Sequence, residues 1–307
     1  MERIALLIKE TPFVEDDNFF RFLPKLLARG FQVDVLFIDT LRMQANQVEA
    51  NGCPGVTNLD IGAEWPTQTF MRLDHDLVWL LGLGDRATFL DKLQLLFVVS
   101  QQTRLINSPN AIMHLKSKYL LASQSLFQVP ETHADTRAEP LIRIIENKGG
   151  DWILKPPAGS LGQDVFKVSA GDHDIKERVE QVFAGSTGFA MLQQYLPEIE
   201  RGEKRVLIAG GKVINQYHRL AGTDHRTNLT QGGVAKPCEL SPEEHNLCTE
   251  LAGYLLRQGG WFCGVDLVFP WVIEVNVINP GGIGTIDDLT GVDWSGDVVN
   301  AVLAARP

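Results

Sequence analysis

Cys263-Gly-Val-Asp266-Leu-Val-Phe269-Pro270-Trp271-Val-Ile-Glu274-Val-Asn276-Val-Ile-Asn279-Pro-Gly-Gly282 is the stretch on which the reading of this chain turns. Two apolar, β-branched runs flank Phe269-Pro270-Trp271, which predicts an antiparallel strand pair joined by a short connection. Glu274 and Asn276 are two apart on the second strand, so their side chains leave one face. With an odd number of connecting residues centred on Pro270, Asp266 falls opposite Glu274. Two carboxylates and an amide oxygen then share a face, a donor set suited to Mg²⁺ carrying phosphate oxygens. The plain alternative is the solvent face of an amphipathic sheet.

The composition is that of a soluble globular chain. Of 307 residues, 44% are hydrophobic and 21% charged, and 28 basic against 38 acidic side chains leave a net charge of −10. That balance excludes an extended nucleic-acid surface, which needs clustered positive charge. The four cysteines, Cys53, Cys238, Cys248 and Cys263, show no zinc spacing and predict a reduced, cytoplasmic protein. No window reaches the ~20 apolar residues of a membrane span, and the first apolar run is too short for a signal peptide. A homo-dimer or homo-tetramer is compatible with the apolar content of the N-terminal half.

Outward from the deciding stretch, the N-terminal third alternates strand and helix. Ile4 to Ile8 and Phe31 to Ile38 read as strands around a helix from Phe19 that ends at Gly30, a parallel βαβ unit. Residues 40 to 70 are polar and turn-rich, with no clear element. A third strand at Leu77 to Leu81 precedes Gly82-Leu-Gly84-Asp85-Arg86 and a helix to about Val99. The glycine pair invites a dinucleotide reading, but position 87 is Ala87 and no ribose-binding acid follows; a tight turn fits better. Asn107-Ser108-Pro109 marks a boundary, giving an α/β domain over residues 1–109 and a second domain over 110–307.

In the second part, 110 to 127 reads as helical and carries Lys116 and Lys118. Asp151-Trp-Ile-Leu-Lys155 is a strand delivering a lysine to a loop with Gly159, Ser160 and Gly162, a set of N–H groups and a point charge suited to phosphate. It lacks the Walker spacing. Phe189 to Pro197 is a strand whose end, Gln193-Gln194-Tyr195-Leu196, could lay amides along a base edge or be plain core. A hairpin around Gly210-Gly211 leads to a loop system bearing Arg205, Arg219, Arg226 and Asn228, a local cationic cluster in an acidic chain. Helices near 242–258 and 294–304 complete the pattern.

The order of these parts resembles the ATP-grasp superfamily and, within it, bacterial glutathione synthetase. Ile153-Leu-Lys-Pro, Gln194-Tyr-Leu-Pro, Gly202-Glu-Lys-Arg, Arg226-Thr-Asn-Leu and Gly264-Val-Asp with Glu274-Val-Asn carry the likeness. The resemblance implies an ATP-grasp fold, α/β (α+β), behind a Rossmann-like parallel-sheet domain, with about 120–190 as a small lid subdomain. It implies ATP at Lys118, Lys155, Gly159, Ser160, Gly162 and Gln193 to Leu196, and Mg²⁺ (or Mn²⁺) at Asp266, Glu274 and Asn276. Arg205, Arg219, Arg226 and Asn228 would serve catalysis, and Arg226, Asn279, Gly281 and Gly282 would hold substrate. The implied activity joins a small-molecule acid to an amine through an acyl phosphate; the alternative is a nucleotide-binding protein that has lost ligation. Three stretches depart from the family: Leu81 to Arg86 replaces its Arg-x-Asp-Pro-Pro, Ala158 to Gly162 replaces its Asp-Gly-x-Gly-Gly, and Asn279-Pro-Gly-Gly282 replaces its Ser-Pro-Thr. The acid and the amine therefore stay open.

Overall fold

The structure is a computed structural model describing residues 2–10, 18–58, 64–159, 163–185, 188–222, 227–229 and 232–305. Its first sheet grows from β1 (Arg3–Ile8), α1 (Asn18–Leu27) and β2 (Gln32–Phe37). Strand β1 runs parallel to β2, because the intervening helix returns the chain to the same sheet edge. The turn-rich region without a clear element contributes β3 (Arg42–Gln44), β4 (Gln47–Cys53) and β5 (Thr69–Arg72), added antiparallel beyond β2. Strands β3 and β5 are largely exposed, and the buried alternation of β4 falls on Val48, Ala50 and Gly52, a weak apolar signal. Strand β6 (Leu77–Leu80), helix α2 (Phe89–Val99) and strand β7 (Arg104–Ile106) complete the sheet on its parallel side.

Pro109 starts α3 (Pro109–Leu115), with Ser108 Oγ accepting from the Ala111 amide at the N-cap. The expected continuous helix over 110–127 breaks at Lys118, which sits at φ 66, before α4 (Tyr119–Ser123). A left-handed lysine is disfavoured by about 1–2 kcal/mol. It persists because its ammonium is held by partners in the cavity described below.

A four-stranded antiparallel sheet follows: β8 (Thr132–Asp135), helix α5 (Ala138–Lys148), β9 (Asp151–Lys155), β10 (Phe166–Ser169), helix α6 (Ile175–Ala184) and β11 (Ala190–Gln194), in the order β10-β9-β11-β8. Its own core holds Leu141, Ile145, Trp152, Leu154, Val179 and Val182. The third sheet contains β12 (Glu203–Ala209), β13 (Lys212–Leu220), β14 (Val234–Lys236), β15 (Phe262–Val268) and β16 (Trp271–Asn276), in the order β14-β13-β12-β15-β16. Between β14 and β15 runs α7 (Pro242–Arg257), started by a capping box of Ser241 and Glu244. Helices α8 (Ile283–Thr290) and α9 (Ser295–Ala304) end the chain.

The first and third sheets share a core. Phe22 of α1 stacks on Trp79 at 4.5 Å and meets Phe262 of β15 edge-on at 5.5 Å. Each such buried aromatic contributes about 1.5–3 kcal/mol. Buried Asn107 joins the two halves with three hydrogen bonds, donating to Phe262 O and Val277 O and accepting from the Phe262 amide. The junction at Asn107 is thus packed and hydrogen-bonded rather than a loose linker.

Two β-bulges set the polar face of the third sheet. The β15–β16 connection holds two residues, Phe269 and Pro270, not an odd number; Val268 faces Trp271. Ile273 is then skipped, and Asp266 recovers its place opposite Glu274. In the β12–β13 hairpin Ile214 is skipped likewise, so that Glu203 faces Arg219 and Arg205 faces Tyr217. Since Arg205 also faces Asp266, one row runs Tyr217, Arg205, Asp266, Glu274 across four strands. Without the bulges, each row would split between the two faces.

Candidate functional site

That row floors a cavity of about 540 Å³ between the second and third sheets, within the range of small-molecule and cofactor sites. Strand β9 delivers Lys155 into it and the break before α4 delivers Lys118. The Lys118 ammonium lies 3.1 Å from Glu274 Oε1 and donates to Pro157 O at 3.2 Å. Lys155 donates to Gln193 Oε1 at 2.7 Å, and Gln193 donates in turn to Thr132 Oγ1. Burial, helped by Lys118, lowers the Lys155 ammonium to about 8. Burial opposes ionisation of Glu274, but Lys118 and Lys155 outweigh it and hold that carboxyl at about 2. Lys118 and Lys155 thus share one carboxylate, Glu274, between them.

Asp266 is gripped from the strands on both sides of β15. Arg205 donates to it through Nε at 2.7 Å and Nη2 at 3.3 Å, Arg219 through Nη2 at 2.5 Å, and Asn276 Nδ2 at 3.2 Å. Gly264 makes this possible, since a Cβ there would stand 2.8 Å from Arg205 Nη1. Arg219 also meets Glu203 at 2.5 Å, and Thr227 donates to the same Glu203 oxygen. Burial drives the Glu203 carboxyl above its ordinary range while Arg219 pulls against it. Arg219 Nε is buried without a partner among the described residues, a donor suited to an anionic oxygen.

Every expected site residue that the structure describes lines this one cavity. Lys118, Lys155 and Gly159 line it together with Gln193, Gln194, Tyr195 and Leu196. Arg205, Arg219, Asn228, Asp266, Glu274 and Asn276 line it as well, with Asn279, Gly281 and Gly282. Ser160, Gly162 and Arg226 lie outside the described residues. The amides of Gln194 and Tyr195 donate to Glu131 O and Asp151 O, so those two N–H groups serve the fold. Sequence reasoning missed Glu203, Tyr217 and Thr227, which line the cavity, and Lys116, whose ammonium reaches Gly159 O at 3.3 Å. Alternation along β12 pairs Glu203 with Arg205 on one face and could have found the first.

The glycine pair Gly82-x-Gly84 belongs to a packed turn. Gly84 has φ +62, and a Cβ there would lie 2.1 Å from Asp39 Oδ1, which accepts from the Asp85 amide at 2.6 Å. The loop leaves no dinucleotide cradle.

Among the described residues no three His, Cys, Asp or Glu side chains cluster as a metal site by themselves. Asp266, Glu274 and Asn276 nevertheless fit a hard divalent ion that brings phosphate oxygens as further ligands. All three leave one face of the sheet, and Asp266, whose two oxygens each accept two hydrogen bonds from Arg205, Arg219 and Asn276, would exchange one of these for the ion. The lysines, the unpartnered guanidinium N–H and the oxygen donors together describe a site for a polyphosphate with its cation. No helix among the described residues is long and apolar enough to cross a membrane.

Comparisons with known proteins agree with this geometry. A sequence profile described as prokaryotic glutathione synthetase, ATP-grasp domain, matches residues 119–291, more than half of the chain. A glutathione synthetase of Nostoc sp. is 33% identical over 207 residues, 67% of this chain and 63% of that protein. The matched stretch is thus less than two thirds of that relative's length. A glutathione synthetase of Rhodopseudomonas palustris is 25% identical over 303 residues, covering 95% of each chain. Among solved structures, D-cycloserine synthetase DcsG superposes with a TM-score of 0.68 over 97% of this chain and 99% of that one, at 17% identity. At that identity the likeness is one of fold.

Proposed function

The chain belongs to the prokaryotic glutathione synthetase ATP-grasp family, and from that premise we propose that it is an ATP-dependent carboxylate–amine ligase acting through an acyl phosphate. The observation that carries the reading is the convergence of Lys118, Lys155, Asp266, Glu274 and Asn276 on one cavity from strands and turns far apart in sequence. The substrates we propose are γ-glutamylcysteine and glycine or a related acid and amine, used in the cytoplasm. We assign residues 1–109 to an N-terminal α/β domain and 110–307 to the ATP-grasp domain, with about 120–190 as its lid.

ATP lies with its phosphates toward Lys118 and Lys155, which neutralise charge as the γ-phosphoryl leaves ADP for a carboxylate oxygen of the acid. Mg²⁺ or Mn²⁺ held by Asp266, Glu274 and Asn276 supplies electrostatic stabilisation of the phosphate oxygens when bound. Arg205 and Glu203 hold Asp266 and Arg219 in place, and the spare Nε of Arg219 faces developing negative charge. The amine then attacks the acyl carbon, the carbon–oxygen bond to phosphate breaks, and inorganic phosphate leaves. Ser160, Gly162 and Arg226 retain the phosphate and substrate roles that the resemblance implies.

A nucleotide sensor that has lost ligation is disfavoured, because such a protein has no need to keep a buried lysine pair and its oxygen-donor face. The test incubates the protein with ATP, Mg²⁺ and a panel of acids and amines, γ-glutamylcysteine with glycine among them. ADP release that requires both acid and amine, with a condensation product by mass spectrometry, is expected. ATP turnover indifferent to every acid in the panel would remove the ligase reading.

A further inference from the structure

The row of Tyr217, Arg205, Asp266 and Glu274 has two unlike ends. Strands β13, β12, β15 and β16 succeed one another along it, so three strand spacings, about 14 Å, separate Tyr217 from Glu274. The lysines gather at Glu274: Lys118 pairs with that carboxylate, and Lys118 and Lys155 together keep it ionised. Tyr217 stands at the other end. Directly paired residues on neighbouring strands share a face, so its side chain turns the same way as that of Arg205 and lines the same cavity.

The phenol is held in place and keeps capacity for a partner. Gly282, at φ +125, brings its backbone against the ring: a Cβ there would lie 2.9 Å from Tyr217 Cε1 and 3.0 Å from the hydroxyl oxygen. Thr285 of α8, which also lines the cavity, is a side-chain hydrogen-bond partner of the phenol. A hydroxyl has one hydrogen and two lone pairs, so one bond with Thr285 leaves room for another. Burial raises the Tyr217 hydroxyl above its ordinary range, although Arg205 and Arg219 pull against it, so it is a neutral donor at working pH. Arg219 lies two residues along β13 on the same face and adds its unpartnered Nε. The acids beside them, Asp266 and Glu203, already accept from Arg205, Arg219, Asn276 and Thr227. Two donors thus remain for an oxygen that a ligand brings.

We propose that Tyr217 is a specificity-determining residue for the acid, its hydroxyl donating to an oxygen of the carboxylate-bearing substrate. The inference rests on the ligase reading and deepens it. With the phosphates at the lysines and the cation at Asp266, Glu274 and Asn276, the γ-phosphoryl arrives from the Glu274 end of the row. The acid then occupies the stretch beyond Asp266, over Arg205 and Tyr217, and must be seated before an amine has an acyl phosphate to attack. Tyr217 is two strand spacings, about 10 Å, from Asp266. That span favours acids with an oxygen function besides the carboxylate that is phosphorylated. An acid without one leaves the phenol hydrogen unpaired in a buried place and is selected against.

The test is Tyr217→Phe, which keeps the ring against Gly282 and removes only the hydroxyl. ADP release by the whole protein is followed with ATP, Mg²⁺ and glycine while γ-glutamylcysteine, or whichever panel acid supports turnover, is varied. The half-saturating acid concentration should rise about tenfold, with those of ATP and amine within about twofold of the parent. Thr285→Val leaves the phenol but removes its partner, and should raise the acid value by less, about threefold; it carries the test if the phenylalanine chain does not fold. An unchanged acid value in the folded variants overturns the proposal, since the hydroxyl then serves packing alone. So does a rise confined to the amine, which assigns the hydroxyl to the other substrate, and so does an equal rise for ATP, which marks a general distortion. If no acid drives ADP release in the parent chain, the ligase reading fails first; if the parent is active and the acid value does not move, only this inference falls.

Discussion

Two buried ionic clusters in this molecule invite comparison. One floors the cavity: Arg205, Arg219, Glu203, Asp266, Glu274, Lys118 and Lys155. The other lies in the first sheet, where Asp34 of β2 accepts from Arg3 at 3.1 Å and from the Gly55 amide at 2.8 Å and lies 2.9 Å from His75. In both, a carboxylate is taken out of water, Asp34 in one and Asp266 in the other. In the first-sheet cluster both Asp34 oxygens are engaged within the fold, His75 Nδ1 is buried without a partner among the described residues, and none of its residues lines the cavity between the second and third sheets. In the cavity cluster Lys155 has only a neutral amide as its hydrogen-bond partner, and Arg219 keeps an unpaired N–H. Each cluster keeps a buried nitrogen unpartnered among the described residues; what sets the cavity cluster apart is that its spare donors stand beside an open space.

The strongest way to break that contrast is Glu274→Gln. It removes a metal-facing carboxylate and should lower acid-dependent ADP release about a hundredfold or more, with cooperative unfolding retained by circular dichroism. Near-parental turnover would reduce the cavity cluster to a structural one like its counterpart.

Lys155→Met sharpens the contrast through a change of opposite sign in stability. A lysine at about 8 in the folded chain against ~10.4 unfolded disfavours folding at pH 7 by about 3 kcal/mol. The substitution should therefore raise the thermal midpoint while weakening ATP binding measured by calorimetry. A lower midpoint would mean that the Gln193 hydrogen bond outweighs the desolvation.

Asp34→Asn is the mirror experiment. Burial opposes the Asp34 charge, but His75, the Gly55 amide and Arg3 outweigh it and hold the carboxyl well below its ordinary range. Its contribution is present above the unfolded pKa of ~3.9 and is lost as pH falls further. Breaking the cluster should destabilise by about 3 kcal/mol in urea titration and remove that acid-side dependence. Turnover per folded molecule should stay unchanged; a selective loss of turnover would give this cluster a role in catalysis.

The smallest expected effect is in pH. Lys155 loses its charge as pH rises through about 8, so ATP affinity should weaken above that value, by up to about tenfold per unit. Binding near pH 8 should take up a proton, read by calorimetry in buffers of different ionisation enthalpy. The free protein gains stability from the same deprotonation, because the unfolded chain binds more protons there. Affinity and stability thus move in opposite directions over one pH range.

Much of the site was legible before any coordinates. Alternation put Glu274 and Asn276 on one face, and the strand ending at Lys155 pointed its lysine at a glycine loop. The region 40 to 70 was not legible, because β3 and β5 are exposed and the buried positions of β4 carry residues as small as Ala50 and Gly52. Nor was the break at Lys118, where ion pairing in the cavity overrides helical propensity.

By itself the sequence determined which side chains alternate together, where turns and caps fall, and in what order the cationic and oxygen-bearing groups arrive. All of that is local: a period of two or 3.6 residues, a proline, a pair of glycines. Tertiary structure alone decided which charges meet. Skipping Ile214 and Ile273 turned two polar sets onto the same face, and packing brought Lys118 to Glu274 and Asn18 to Asn279 across most of the chain. A bulge and a long-range contact are settled by how whole strands and helices bury their apolar faces, which no short window of residues encodes.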